Sequence, residues 1–399
     1  MEIQLSDRIK SIKPSPTLAV TAKAAELKAA GVDIIGLGAG EPDFATPQHI
    51  KEAAIDAINA GFTHYTAVDG IAELKHAVIN KLNRDNMLKY KPEQIIVSCG
   101  AKHSIFNLME AHLNPGDEVV VTAPYWVSYT DMAILCGAVP VVISAGIEKR
   151  YKISPEQLDQ AITPKTKLFI LNSPCNPTGI AYTQAELIAF GEVLRKHPHV
   201  LIMTDDIYEH IMWADFPFCN IVMACPDLYD RTVVINGVSK SYAMTGWRIG
   251  YAAGPASLVK AMHKMQSQST TNPCSISQKA AVAALNGDQS CIYIMTAEFK
   301  KRHDYVLEEL KTMTGIECID ADGAFYMFFK VEDLIRRLGI PKVTNDTEFA
   351  EFLIHEAGLA LVPGAAFGAP GYLRASVATG IDVLREAMRR LRGVTERIR

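Results

Sequence analysis

Five short apolar runs between residues 95 and 235 constrain the fold more than any other feature of the chain. They are IIV at Ile95 to Val97, VVV at Val119 to Val121, LFIL at Leu168 to Leu171, LIM at Leu201 to Met203 and VVI at Val233 to Ile235. Helical patterns separate them, and each is followed by a polar or Gly-rich tail: SCGAKH, TAPYW, NSPCNPTG, TDDIYEH and NGVSKSY. Runs that are apolar throughout, rather than alternating, belong to strands covered on both faces, so the pattern predicts βαβ units around a buried parallel sheet. Ligands of open α/β sheets gather outside the carboxyl ends of the strands. The five tails are therefore where chemistry is expected.

The final third has a different texture. GIECIDADGAFYMFFKV predicts two strands joined by a turn, followed by helices around Glu348 to Ala357 and Ile381 to Arg392, which together make a smaller α+β lobe. EPDFATPQHIKEAA carries a turn and then a helix start. The expected organisation of this α/β chain is an arm over 1–47 packing with the small lobe, a large domain over 48–290 and a small domain over 291–399. Two or three domains suit 399 residues at roughly 150 per domain.

Composition narrows the partners. Forty Lys plus Arg against 44 Asp plus Glu leave a formal charge of −4, which offers no general attraction to nucleic acid or anionic lipid. The first twenty residues carry scattered charges and no apolar core of a secretory signal, and no run is long enough to span a bilayer. Eight cysteines are widely spaced with no CxxC pair. A reducing cytoplasm is the expected location, and no metal site is expected.

The stretch GVSKSYAMTGWRIGY, Gly237 to Tyr251, is the richest in chemistry. Lys240 follows a strand end among small residues, where lost hydration or neighbouring charge would make its amine a nucleophile; alone, it would be an ordinary surface lysine. Asp205 and Asp206 end another buried strand, with Tyr208 close behind. Gly100 and Ala101 open an amphipathic helix whose free N–H groups and dipole suit a phosphate, although many small-residue turns bind nothing. Trp126 either fills the core or stacks on a planar ring. Arg248 and Arg374 carry the fork that matches carboxylate or phosphate, a fork most arginines use for surface ion pairs.

Taken in order, KPSPT, AGEPDF, PYWVSY, NSPCNPTG, TDDIYEH, SKSYAMTGWRIGY and RASVATG run through nearly the whole chain. This set resembles fold-type I pyridoxal-phosphate aminotransferases of class I, and most nearly the bacterial aspartate enzymes among them. The resemblance implies a large domain with a mostly parallel seven-stranded sheet between helices. It implies pyridoxal 5'-phosphate held covalently by Lys240, which also moves the substrate α-proton. Asp205 would pair with the pyridine nitrogen and keep it protonated, so that the ring acts as an electron sink. Tyr208 and Asn176 would bond the ring hydroxyl, Trp126 would stack on the ring, and Gly100, Ala101, Ser239 and Arg248 would hold the phosphate. Arg374, with Asn176 and the backbone at Gly40, would grip the α-carboxylate, and Trp126 would also meet the substrate. Tyr65, in THYTAVDG, resembles a tyrosine that reaches the phosphate of a neighbouring subunit, which implies a homodimer with shared sites.

For specificity, Lys102 beside the cofactor aligns with a lysine that meets the distal carboxylate of acidic substrates, while Ser15 and Thr17 lie in a segment lining the same pocket. Lys13 matches a position linked with acceptance of prephenate. The implied reaction is ping-pong transfer of the amino group from L-aspartate to 2-oxoglutarate, with prephenate or aromatic substrates as the alternative. One departure stands out: Gly237 occupies a place where some relatives have a phosphate-binding serine, which shifts the cup towards Ser239 and backbone.

Other readings fail on specific residues. GLGAG at Gly36 to Gly40 begins like a dinucleotide fingerprint, but EPDFATP puts two prolines where its helix should start. A regulator built on the same fold would carry a DNA-reading helix-turn-helix segment, and none is evident. His355 and Glu356 start an HExx string that ends at Leu359 instead of a second histidine, so no zinc helix forms. GVSKS lacks the second glycine of a nucleophile elbow. Asn345 and Thr347 make a glycosylation sequon of no use to a cytoplasmic protein.

Overall fold

The computed structural model describes residues 3–12, 14 and 16–397. Its twelve strands are β1 (Ile35–Gly36), β2 (Ile95–Ser98), β3 (Glu118–Ala123), β4 (Val139–Ser144), β5 (Thr166–Asn172), β6 (Leu201–Asp205), β7 (Thr232–Gly237), β8 (Gly250–Ala253), β9 (Tyr326–Lys330), β10 (Leu359–Ala360), β11 (Val362–Pro363) and β12 (Tyr372–Ser376). Seven of them form one sheet in the order β2-β8-β7-β6-β5-β3-β4. Only β8 runs against its neighbours, so the sheet is mostly parallel, as expected.

Each apolar run of the sequence is a strand of this sheet, and burial explains why the runs do not alternate. Along β5, Phe169 and Leu171 join the core on one face, while Leu168 and Ile170 join the core on the other. Along β6, Ile202 faces one way and Leu201 and Met203 the other. Helices such as Ala101–His112 and Gln184–Lys196 cover the two faces. Two strands escaped the sequence pattern. β4 is an outer strand with open positions at Val139 and Val142, and β8 is only GYAA, whose two alanines give a weak signal.

A second core gathers Phe299, Leu334, Phe349, Leu353, Leu384, Met388 and Leu391 around β9 and β12. Helices Asp346–Ala357 and Ile381–Thr395 stand where the sequence pattern put them. The expected pair of strands in Gly315 to Val331 forms only its second member, β9, with Glu317 bridging Lys330. The reason lies in the backbone between them. Asp322 and Gly323 donate to Gly179 O at 2.9 Å, and Asp322 O accepts from Trp213 and Ala214, so the segment is bonded across to the large lobe instead of along β9.

The N-terminal segment meets the small lobe through β1, which pairs in parallel with β10, and through Ala24 and Ile34, which pack with Ile354 and Ala360. Helix Gln48–Asn59 then leads into the large lobe. No helix among the described residues is long and apolar enough to cross a membrane, and all eight cysteines are free.

Candidate active site

The carboxyl ends of the parallel strands open into a cleft whose lining includes Thr17, Gly40, Ala101, Lys102, Trp126, Asn176, Asp205, Tyr208, Ser239, Lys240, Arg248 and Arg374. The side chains come from distant parts of the chain and converge because parallel strands all end on the same edge. Gly100 sits at the same mouth, as the residue that caps helix Ala101–His112. Tyr65 does not join them: it is 92% exposed and lies outside the cleft lining of its own chain. Lys13 and Ser15 fall outside the described residues.

At the floor, Lys240 follows β7 and its Nζ donates to Gly40 O. Burial pulls its ammonium down to about 8, with Arg248 and Arg374 adding to that effect against Glu41 and Asp205. An amine in this range is partly uncharged near neutral pH, which is what a nucleophile or base needs.

Asp205 ends β6 and is 4% exposed. Its carboxylate accepts the Tyr129 hydroxyl at 2.5 Å and the Ile207 N–H at 3.3 Å. Burial pushes the carboxyl up to about 6, against the Tyr129 and Ile207 hydrogen bonds and the Lys240 charge. Asp206 points elsewhere. It accepts Thr204 Oγ1 at 2.6 Å and Asn220 Nδ2 at 2.7 Å, away from the cleft, so the strand's alternation hands only one of the two acids to the site.

The end of the cleft at the start of helix Ala101–His112 is built by close approach. Gly100, at φ 91°, leaves helix Ala101–His112 without a side-chain cap, and the N–H groups of Ala101 and Lys102 make no backbone hydrogen bond. A Cβ on Gly100 would collide with the Arg248 guanidinium, and one on Gly250 would collide with the Ala101 backbone. Arg248 Nη1 donates to Thr245 O at 2.7 Å, which aims its fork across the helix start. Ser239 lines the same space. Gly237 lies within β7, where a side chain would press on Ile249 O at 2.9 Å. A serine there would need that neighbouring strand to shift.

At the opposite end Arg374 is 1% exposed. Nη1 donates to Asn176 Oδ1 at 2.9 Å and Nη2 to Gly38 O at 2.7 Å, while Nε has no partner among the described residues. The guanidinium lies 4.4 Å from the Tyr326 ring centroid and 4.9 Å from that of Phe367. Among the described residues it forms no ion pair. Burial lowers its pKa, with only the Tyr326 and Tyr208 hydroxyls opposing. Such a cation calls for an anion from outside.

Four residues of this site were not singled out from the sequence. Tyr129 holds Asp205, and Asn172 Nδ2 donates to Asp205 O at 2.9 Å while its Oδ1 accepts the Asn176 N–H. Tyr326 OH meets Tyr208 OH at 2.9 Å, and a Cβ on Gly40 would lie 2.9 Å from that hydroxyl. Thr245 bridges Glu41 and Arg248. Asn172 ends the LFILN run and so was within reach of the strand-end rule. The others depend on tertiary contacts.

Trp126 and Lys102 frame the entrance, with Lys102 Nζ 4.8 Å from the indole centroid and Trp126 edge-on to Tyr129. Lost hydration and the Arg248 charge lower the Lys102 pKa. The whole donor set suits a flat, anionic ring compound. N–H groups at a helix start, a hydroxyl and a guanidinium would fit a phosphate; an indole face, a buried acid and an amine flank the space beside them.

The aminotransferase class I and II profile matches residues 32–391, and the chain belongs to that family. It is therefore an aminotransferase, of a kind that uses pyridoxal 5'-phosphate as a general family property. Among curated relatives, the aspartate/prephenate aminotransferase of Nitrosomonas europaea is 55% identical, over 98% of this chain and 99% of its own. The crystal structure of the aspartate aminotransferase from Rhizobium meliloti superposes with a TM-score of 0.96 at 45% identity, covering 100% of both chains. The aspartate aminotransferase from Thermus thermophilus solved with maleate gives 0.92 at 40% identity, over 98% of this chain and 100% of that one.

Proposed function

We propose that the protein transfers the amino group of L-aspartate to 2-oxoglutarate in a ping-pong cycle, with Lys240 as the covalent anchor for pyridoxal 5'-phosphate. The observation that carries this is the lone buried guanidinium of Arg374 in the same cleft as the amine of Lys240. One site thus offers a carboxylate grip and a nitrogen nucleophile.

When bound, pyridoxal phosphate supplies an aldehyde carbon for amine exchange and a ring that spreads the electron pair left on the substrate α-carbon. Arg374 and Asn176 hold the α-carboxylate and orient the α-carbon, and Gly40 contributes backbone. The Lys240 amine, held in the same cleft, would serve as the base that takes the substrate α-proton and as the acid that gives it back. Asp205 keeps a proton on the ring nitrogen, and Tyr208 with Asn176 donates to the ring hydroxyl. Trp126 covers the ring face. Gly100, Ala101, Ser239, Lys102 and Arg248 cradle the phosphate through N–H groups, a hydroxyl and charge. L-Aspartate enters and oxaloacetate leaves, then 2-oxoglutarate enters and L-glutamate leaves.

Lys102 and Thr17 are the proposed contacts for the distal carboxylate, together with Ser15. The position of Lys102 in the cleft lining beside Trp126 suits a cation that meets a second acid, and the maleate bound by the Thermus relative is a dicarboxylate. Prephenate is a second amino acceptor on this reading, favoured by the name of the Nitrosomonas relative, with Lys13 as the residue to examine. The working unit is a cytoplasmic homodimer in which Tyr65 of each chain reaches the other's phosphate, which suits a tyrosine so fully exposed. Each chain divides into the arm 1–47, the large domain 48–290 and the small domain 291–399.

The test is Lys240→Ala. Turnover of aspartate with 2-oxoglutarate should disappear together with the absorbance band formed on adding pyridoxal phosphate. Near-wild-type turnover with an intact band would overturn the assignment.

A further inference from the structure

Beneath the cleft, outside its lining, lies a buried cluster that the proposed chemistry does not use. Glu209 is 5% exposed and Lys81 1% exposed; Asn86 and Asn236 are buried with them. The Glu209 carboxylate accepts from Lys81 Nζ, from Asn86 Nδ2 at 2.8 Å and from Asn236 Nδ2 at 2.7 Å. Its own N–H donates to Asp206 O at 2.9 Å, closing the turn that follows β6. Burial pushes the carboxyl up, but Lys81, His210 and the Asn86 amide outweigh it and hold Glu209 below the usual glutamate range. His210 and Asp85, 3.2 Å apart, form the outer side of the cluster.

The three donors come from two places that matter. Lys81 and Asn86 belong to helix Ala72–Asn86. Asn236 belongs to β7, donates to Glu209 through its amide nitrogen and accepts the Gly237 N–H at 2.7 Å through its oxygen. Glu209 itself stands next to Tyr208. A single carboxylate therefore spans the segment that delivers Asp205 and Tyr208 and the strand end that leads into Ser239 and Lys240.

We infer that Glu209 is a positioning residue, which fixes Asp205 and Tyr208 relative to Lys240 by tying the turn after β6 to the end of β7 and to helix Ala72–Asn86. The inference rests on the proposed roles of those three side chains. Glu209 touches neither substrate nor cofactor, so its effect passes through geometry. A carboxylate serves here because it accepts on both oxygens. Glutamine keeps the shape but turns an N–H₂ towards one of the donors, while aspartate is one carbon short.

The test compares Glu209→Gln, Glu209→Leu/Lys81→Met and the wild-type holoenzyme. Four quantities are read: melting temperature, kcat and KM for aspartate, and the pH midpoint of the bound-cofactor absorbance. In Glu209→Gln, kcat falls about 10- to 100-fold, the scale expected when reacting groups lose their alignment, KM stays within about threefold, and the pH midpoint moves. The double variant removes both buried charges and regains melting temperature, but its kcat stays low because the ties to Asn86 and Asn236 are gone. Wild-type kcat and an unmoved midpoint in Glu209→Gln would overturn the inference. So would a double variant whose kcat returns along with its melting temperature, since that marks a merely structural ion pair. If the double variant does not fold, Glu209→Gln decides alone. A wild-type protein that forms no absorbance band with pyridoxal phosphate would instead sink the proposed site.

Discussion

Lys81 and Arg374 are both buried cations, each 1% exposed, yet their surroundings are opposite. Lys81 meets Glu209 and Asp85 as ion partners and Asn86 as a hydrogen-bond acceptor. Arg374 meets a carbonyl, an amide oxygen and two aromatic rings, and keeps an unused Nε. Taking a charge out of water costs several kcal/mol, and a native fold offsets that cost with a partner of opposite sign. Arg374 has no such partner among the described residues; two acceptors and two ring faces soften its charge, and the proposed α-carboxylate would complete the set. On the proposed function, the paired cation serves architecture and the unpaired one serves binding.

The difference can be broken most directly at Arg374. Arg374→Leu should lower kcat/KM for aspartate by about 10³- to 10⁴-fold, since two charge-assisted hydrogen bonds to the α-carboxylate are lost. Melting temperature should hold or rise, because an uncompensated buried charge has gone. A large loss of stability with modest loss of kcat/KM would reverse the assignment of the two cations.

Lys81→Met should do the opposite. It leaves Glu209 buried without its counter-charge, and denaturant unfolding should show about 3 kcal/mol of destabilisation. An unchanged unfolding midpoint would show that the pair is idle.

The two neighbouring acids sharpen the contrast through pH. Burial and the Glu209 charge raise Asp206 to about 7 in the folded protein, well above its ordinary value of 3.8. Between those values the folded chain holds a proton that the unfolded chain has released, so stability from this group is full below about pH 4 and is lost as pH climbs through about 7. Asp206→Asn should flatten that decline by about 4 kcal/mol across the window, as read from unfolding midpoints between pH 4 and 8. An unaltered slope would show that Asp206 does not titrate there.

The smallest expected effect is at the entrance. Lys102→Ala should reduce kcat/KM for dicarboxylic substrates by about tenfold and leave aromatic donors nearly unchanged, because a partly solvated ion pair contributes little more than 1 kcal/mol. Equal losses on both classes would remove Lys102 from specificity and return it to the phosphate end.

Much of the fold was legible because it is written in local pattern. The runs at Ile95, Val119, Leu168, Leu201 and Val233 all became strands of one sheet, since a strand covered on both faces must be apolar at every position. β8, as GYAA, carried too little signal, and the first half of Gly315 to Val331 looked like a strand but was drawn across to Gly179, Trp213 and Ala214. The site was legible in kind. Lys240, Asp205, Tyr208, Asn176 and Arg374 stood out through strand ends and ordered motifs, and the structure brings them to one cleft. Tyr129 and Tyr326 did not stand out, because nothing local distinguishes a tyrosine that orients an acid from one that fills a core.

The sequence alone determined which residue types stand at the strand ends, and so the kind of chemistry to expect. Only the tertiary structure decided that Asp205 rather than Asp206 faces the cleft, that Lys81 has a counter-charge while Arg374 has none among the described residues, and that Glu209 reaches Asn236 across the sheet. Periodicity is a property of neighbours along the chain. Burial and pairing depend on distant residues, such as Gly38 and Arg374, 336 positions apart, and no local pattern records them.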